Sequence, residues 1–190
     1  WRLSNKSKFS NFLDYSVNEK DPKFDTPFPN TSQSTIRLVI GDNCQINLIE
    51  KNYSIKQLSE DKLVKYIKEQ ISCFDQNENW SDLLNLSLNC TKNTLGLKIS
   101  GSEIPPIEIF SHASSNSLNA KTLVIFLEKN CDIDLLQVNL GKENSSLSQS
   151  TFFCLEENSS VNHGVVSYGE NKSNLLNSLN VIQQKNSEYN

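Results

Sequence analysis

Seven side chains in this sequence are of the types that metal binding or nucleophilic catalysis draws on: Cys44, Cys73, Cys90, Cys131 and Cys154, with His112 and His163. Zinc ligation uses thiolates in close pairs, and a secreted disulfide framework uses an even count. Here the count is odd, no C-x-x-C occurs, and the shortest separation is the 17 positions from Cys73 to Cys90. Apolar neighbours, as in Phe152-Phe153-Cys154-Leu155, suit buried free thiols acting as small hydrophobes. A reducing compartment, the cytoplasm, is the matching expectation. His112 falls at the end of a strand in Phe110-Ser111-His112-Ala113, and His163 lies inside Val161-Asn162-His163-Gly164. Nothing in the sequence spaces a Cys or carboxylate against either as a nucleophile–base pair, so both read as hydrogen-bonded structural histidines. The phosphate-loop, dinucleotide, HExxH and GxSxG patterns do not occur. No catalytic, cofactor-binding or metal-ligating residue is assigned, and the expectation is a protein that is not an enzyme.

Composition narrows the partners. The 190 residues are 36% hydrophobic and 21% charged, with 25 Asn and 27 Ser against 2 Ala and 2 Arg. That is low in apolar content without being rich in charge, and the neutral amides and hydroxyls fill the gap. A net charge of −4 argues against a surface built to hold nucleic-acid phosphates. No run of 18 apolar residues and no signal-peptide pattern appears, so no membrane partner is expected. The sequence opens without Met, which reads as a chain lacking its true start.

Two regions have different character. Residues 1–93 read as a lead-in, a hairpin and helices. Pro22, Pro27 and Pro29 break any helix early on, leaving one short helix near Lys8–Leu13. Ile36–Ile40, a Gly41-Asp42-Asn43 turn and Cys44–Ile49 read as the hairpin. Ser59 caps a helix whose Leu63, Ile67, Ile71 and Phe74 share a face, and a second helix runs over Ser81–Asn89. Residues 94–190 are a strand-and-turn array: Leu95–Ile99, Ile107–Phe110, Leu123–Leu127, Ile133–Leu140, Thr151–Leu155, Val161–Tyr168 and Leu179–Ile182.

The array repeats. Residues 123–141 align with 151–169 at an offset of 28: Leu127 meets Leu155, Asn130 meets Asn158, Ile133 meets Val161, Val138 meets Val166 and Gly141 meets Gly169. A weaker echo lies at Asn43–Leu48. One such unit cannot bury its apolar face alone, whereas stacked units close a continuous core. The fold class expected is mainly β, a right-handed parallel β-helix behind a small N-terminal α+β region. Its inward positions would be Val124, Phe126, Ile133, Leu135, Phe152, Cys154 and Val161, with Asn at the corners. Leu127 and Leu155 should be buried, stacked equivalents.

An ordered set of segments resembles the SufB/SufD family of iron–sulfur cluster assembly proteins. Trp1-Arg2-Leu3-Ser4 resembles the family's W-R-x-[ST] start. Trp80–Leu88 followed by Leu95–Ile99 is similar to its helix-then-strand segment, with Cys90–Asn93 in place of the usual acidic-Gly turn. Pro105-Pro106-Ile107-Glu108-Ile109 is similar to its P-I strand, Leu123–Asn130 to its strand ending E-x-[GN], and Val161-Asn162-His163 to its [LV]-[ENDH]-H coil. Order and spacing favour SufD over SufB, over what corresponds to the first half of such a protein. The resemblance implies a non-catalytic scaffold of the SufBCD complex, partnered by SufB-like and SufC-like subunits. The cluster would be handled by that parent complex and not bound by these residues. The family's functional His and its SufC-binding helices fall beyond Asn190, so no site residue carries over. The 94–190 coils would then be truncated at their C-terminal end, leaving a terminal coil that self-associates or frays. The competing reading is a carbohydrate-binding or polysaccharide-lyase-like β-helix.

Overall fold

The structure, a computed structural model, describes residues 35–40, 46–59, 61–63, 65 and 94–190. Its unit is a half-coil that runs from one left-handed corner to the next. Asn116, Asn130, Asn144, Asn158, Lys172 and Asn186 all have φ between +55° and +57° and stand 14 positions apart. Asn tolerates this left-handed backbone better than other non-Gly residues, which explains its place at the corners. The residue after each is Ser, except at Cys131, and each of these serines hydrogen-bonds through Oγ to the carbonyl three residues back. Ser145 donates to Lys142 at 2.6 Å, Ser159 to Glu156 at 2.7 Å and Ser173 to Glu170 at 2.7 Å. The polar turn thereby satisfies its own groups, and a long strand follows.

Two turns and two strands make the full coil, repeated for about three turns of a parallel β-solenoid. One sheet takes β1 (Ile36–Val39), β5 (Ile107–Ala113), β7 (Asp132–Gly141), β9 (Ser160–Gly169) and β11 (Glu188–Tyr189) in that order. The other runs β10 (Asn174–Gln183), β8 (Ser146–Leu155), β6 (Leu118–Leu127), β4 (Thr94–Gly101), β3 (Tyr53–Gln57), β2 (Asn47–Ile49). The register follows the sequence repeat position for position: Leu127 pairs with Leu155, Ile133 with Val161, Val138 with Val166 and Gly141 with Gly169. Leu127 and Leu155 are both buried.

The expected hairpin does not form. β1 pairs parallel with β5, Ile36 against Ile107 and Leu38 against Ile109, while β2 turns back antiparallel on β3. Burying Ile36, Leu38 and Ile40 over the coil interior outweighs the local turn. Of the echo at Asn43–Leu48, the described part, Ile46-Asn47-Leu48, lies in or beside this antiparallel edge and not in a parallel coil. Ser59 does open a helical turn, its carbonyl accepting from Leu63 N at 3.2 Å. The rest of that helix, the Lys8–Leu13 and Ser81–Asn89 helices, and Cys44, Cys73 and Cys90 lie outside the described residues.

The interior divides along each strand. At one corner Leu95, Leu97, Ile99, Leu123, Ile125, Leu127, Phe153 and Leu155 from one sheet meet Ile107, Ile109, Ile133, Leu135 and Val161 from the other. At the opposite corner the inward residues are amides and hydroxyls. Ser111 Oγ donates to Gln149 Oε1 at 2.6 Å, Thr151 Oγ1 to Gln137 Oε1 at 2.9 Å, and Asn139 Nδ2 to Asn177 Oδ1 at 2.9 Å. Ile133, Leu135 and Val161 point inward as expected, but Val124, Phe126, Phe152 and Cys154 do not. They belong to the opposite face, where Val124 and Phe152 cluster with Leu63 and Leu58. Leu123–Leu127 is apolar at every position because both faces of β6 are buried, so alternation could not choose between them. Gly96 makes that outer packing possible: a Cβ there would lie 2.1 Å from Leu63 Cδ2.

Candidate functional site

A groove of about 600 Å³ crosses the first sheet near the starts of its strands. Its floor follows the register, Ile107–Leu135–His163 and Glu108–Leu136–Gly164, so it runs along the coil axis and across the strands. Gly164 keeps the floor open, since a Cβ there would press to 3.3 Å from Leu136 Cδ1. An amide ladder forms one rim. Asn162 Nδ2 donates to Asp134 Oδ1 at 2.9 Å, and Asn190 Nδ2 donates to Asn162 Oδ1 at 3.2 Å. Near the other end Arg37 Nε donates to Glu108 Oε2 at 2.5 Å, with the guanidinium 5.7 Å from the Phe110 ring centroid. The lining holds no Cys, Lys or Arg.

Among the described residues, His163 is the one candidate from the sequence that reaches this groove. Its inward position stacks it on Phe153, centroids 4.9 Å apart, and brings Nδ1 to 2.8 Å from Tyr189 Oη. Nε2 is buried and makes no hydrogen bond. Burial in this aromatic corner holds the imidazole at about 4, well below an ordinary histidine, because a charge there would lose its water. The same burial raises Tyr189. Sequence reasoning missed Tyr189 as the partner; the signal was the coil register, which places it over Val161.

The other described candidates are dispersed. His112 is buried on the outward face of β5, in the column His112–Leu140–Tyr168, well away from His163 in sheet position. Cys131 is fully buried at a turn, and burial, reinforced by Asp132 and Glu128, pushes its thiol up to about 12. Cys154 is half-buried on the outward face of β8. Lys121, unremarked in the sequence, is wholly buried at the polar corner and donates from Nζ to the Ile40 carbonyl at 2.8 Å. Among the described residues no group of three or more His, Cys, Asp or Glu could hold a metal ion, and no helix is long and apolar enough to cross a membrane. The arrangement offers a shaped, hydrogen-bonding surface.

No family model matches this chain, and neither does any curated protein or solved structure.

Proposed function

We propose that this chain is a non-catalytic scaffold of an iron–sulfur cluster assembly complex, of the SufD kind, working in the cytoplasm with SufB-like and SufC-like subunits. One observation carries the reading: four segments that resemble the SufB/SufD family fall, in family order, on strands of one parallel solenoid. Leu95–Ile99 lies in β4, Ile107–Ile109 opens β5 directly after Pro105-Pro106, Leu123–Leu127 closes β6, and Val161-Asn162-His163 opens β9. A stacked coil of this kind presents long, rigid faces, which suits a subunit that organises partners. The cluster would be the cargo of the complex.

Co-expression supplies the test. The tagged full-length gene product would be produced with the SufB-type and SufC-type subunits of the same genome and purified without oxygen. Recovery of all three in one stable complex is expected. Recovery of the tagged protein alone, with SufB-type and SufC-type subunits present and folded, would rule the reading out.

A further inference from the structure

We infer that Asn144 and Asn158 are sites of spontaneous covalent modification gated by the coil, converting to aspartyl and isoaspartyl residues only after their rung has opened. The chemistry belongs to asparagine followed by a small residue, whose main-chain nitrogen approaches without hindrance. That nitrogen attacks the asparagine Cγ, and the new C–N bond closes a succinimide ring. The side-chain amide leaves as ammonia, carrying the proton that the attacking nitrogen gives up. Water then opens the ring at one carbonyl or the other, and no further reactant is needed. Five Asn-Ser pairs occur in this chain, at 116, 144, 158, 177 and 186, and four of them fall on the left-handed corners.

The corner conformation forbids the first step. The five-membered ring contains both Cβ and the serine nitrogen, so closure requires these two nearly eclipsed about the Cα–C bond. At the corners φ is 56° for Asn144 and 57° for Asn158, which is the left-handed region. There ψ is about +47°, and Cβ of an L-residue stands about 120° from its own nitrogen about that bond, so the two groups lie roughly 165° apart. The attacking nitrogen is held on the far side of its target.

Solvent exclusion is not the cause, since Asn158 itself is exposed. The nucleophiles are held as well: Ser145 and Ser159 are buried, and their N–H groups donate to the Lys142 and Glu156 carbonyls, each at 3.2 Å. Those bonds retain the proton that must leave. The side-chain amides are fixed in the ladder, Asn144 Nδ2 donating to Asn116 Oδ1 at 2.7 Å and Asn158 Nδ2 to Asn130 Oδ1 at 3.2 Å. Turning ψ to a reactive value would swing the next strand off its neighbour, β8 from β6 or β9 from β7. Reaction therefore waits on local opening. An isoaspartyl product adds one carbon to the main chain, so an opened rung that reacts this way cannot reclose with its corners in the 14-residue register.

The full chain in mildly alkaline buffer, with synthetic peptides covering residues 140–149 and 154–163 alongside, is incubated until the peptides are half converted. Digestion and mass spectrometry then read conversion at each asparagine. Asn144 and Asn158 in the folded chain should convert at least about tenfold more slowly than in the peptides, and urea below the unfolding midpoint should narrow the gap. Folded-chain rates equal to those of the peptides would overturn the inference. So would measurable conversion in the folded chain that mild urea does not accelerate, because the reaction would then proceed within the closed coil.

Discussion

Replacing Leu127 by Ala tests the stacked core most directly. Leu127 is 0% exposed and pairs in register with Leu155, 1% exposed, one coil on. The change deletes three carbon groups, a transfer loss of about 2.4 kcal/mol at ~0.8 kcal/mol per group. Neighbouring strands β4 and β8 hydrogen-bond β6 on both sides and resist collapse, so a cavity remains. Its contribution brings the expected cost to roughly 4 kcal/mol, within the ~2–5 kcal/mol range for such sites. Leu155→Ala should cost about 3 kcal/mol, because β10 above it is more exposed and can settle inward. The two cavities adjoin, so the double variant should fall short of additivity by about 1 kcal/mol. Val165→Ala, at 47% exposure, is the control and should stay within about 0.5 kcal/mol. Urea unfolding followed by far-ultraviolet circular dichroism measures all four at constant m-value. If Leu127→Ala proves no costlier than Val165→Ala, or the leucines add independently, the coil-on-coil stacking is wrong.

Four further outcomes are expected. Gly96→Ala should destabilise by about 1–2 kcal/mol by pushing Leu63 off the sheet, and Leu63→Ala should relieve most of that cost; a double variant no better than the sum would exclude this contact as the cause. Asn158→Ala should cost about 1–2 kcal/mol through the strained φ of 57° and the lost ladder to Asn130 and Asn186, and Asn158→Gly less; equal costs in chemical denaturation would show that the backbone conformation is not what Asn supplies. Cys131→Ser should change stability by less than about 1 kcal/mol, since Ser occupies the same turn position at 117, 145, 159, 173 and 187. In the native wild type Cys131 should resist a thiol reagent at pH 8 that labels Cys154, its thiol being held near 12; fast labelling of both would contradict its burial.

The coil was legible because its apolar corner recurs once per turn and its strands end on unbroken runs such as Leu123–Leu127. What stayed hidden has physical causes. The strand beginnings Leu118–Thr122, Ser146–Ser150 and Asn174–Ser178 look like loop, yet they are strand because inward amides and hydroxyls bond one another at the polar corner. The face of β6 and β8 was ambiguous because both sides are buried. β1 found its partner 71 positions away, which no local turn pattern can announce. Tyr53–Gln57 buries only Ile55, too little for a periodic signal. Of the candidate site, His163 was visible by type alone; its aromatic neighbours come from other rungs and could be placed only once the register was known.

The backbone repeats with every half-coil, but the side chains repeat only with every full coil, and the mismatch restricts how such a chain can change length. Strands of the β6 kind start polar and finish apolar, whereas those of the β7 kind do the reverse. Gain or loss of a single half-coil would preserve every Asn corner, yet each strand beyond it would arrive in the other sheet with its ends exchanged. Gln137 and Asn139 would then face Leu123 and Ile125, and buried amides would lose their partners. Insertions and deletions within the solenoid should therefore survive as whole turns, so natural length variants ought to differ by complete coils and never by an odd number of halves.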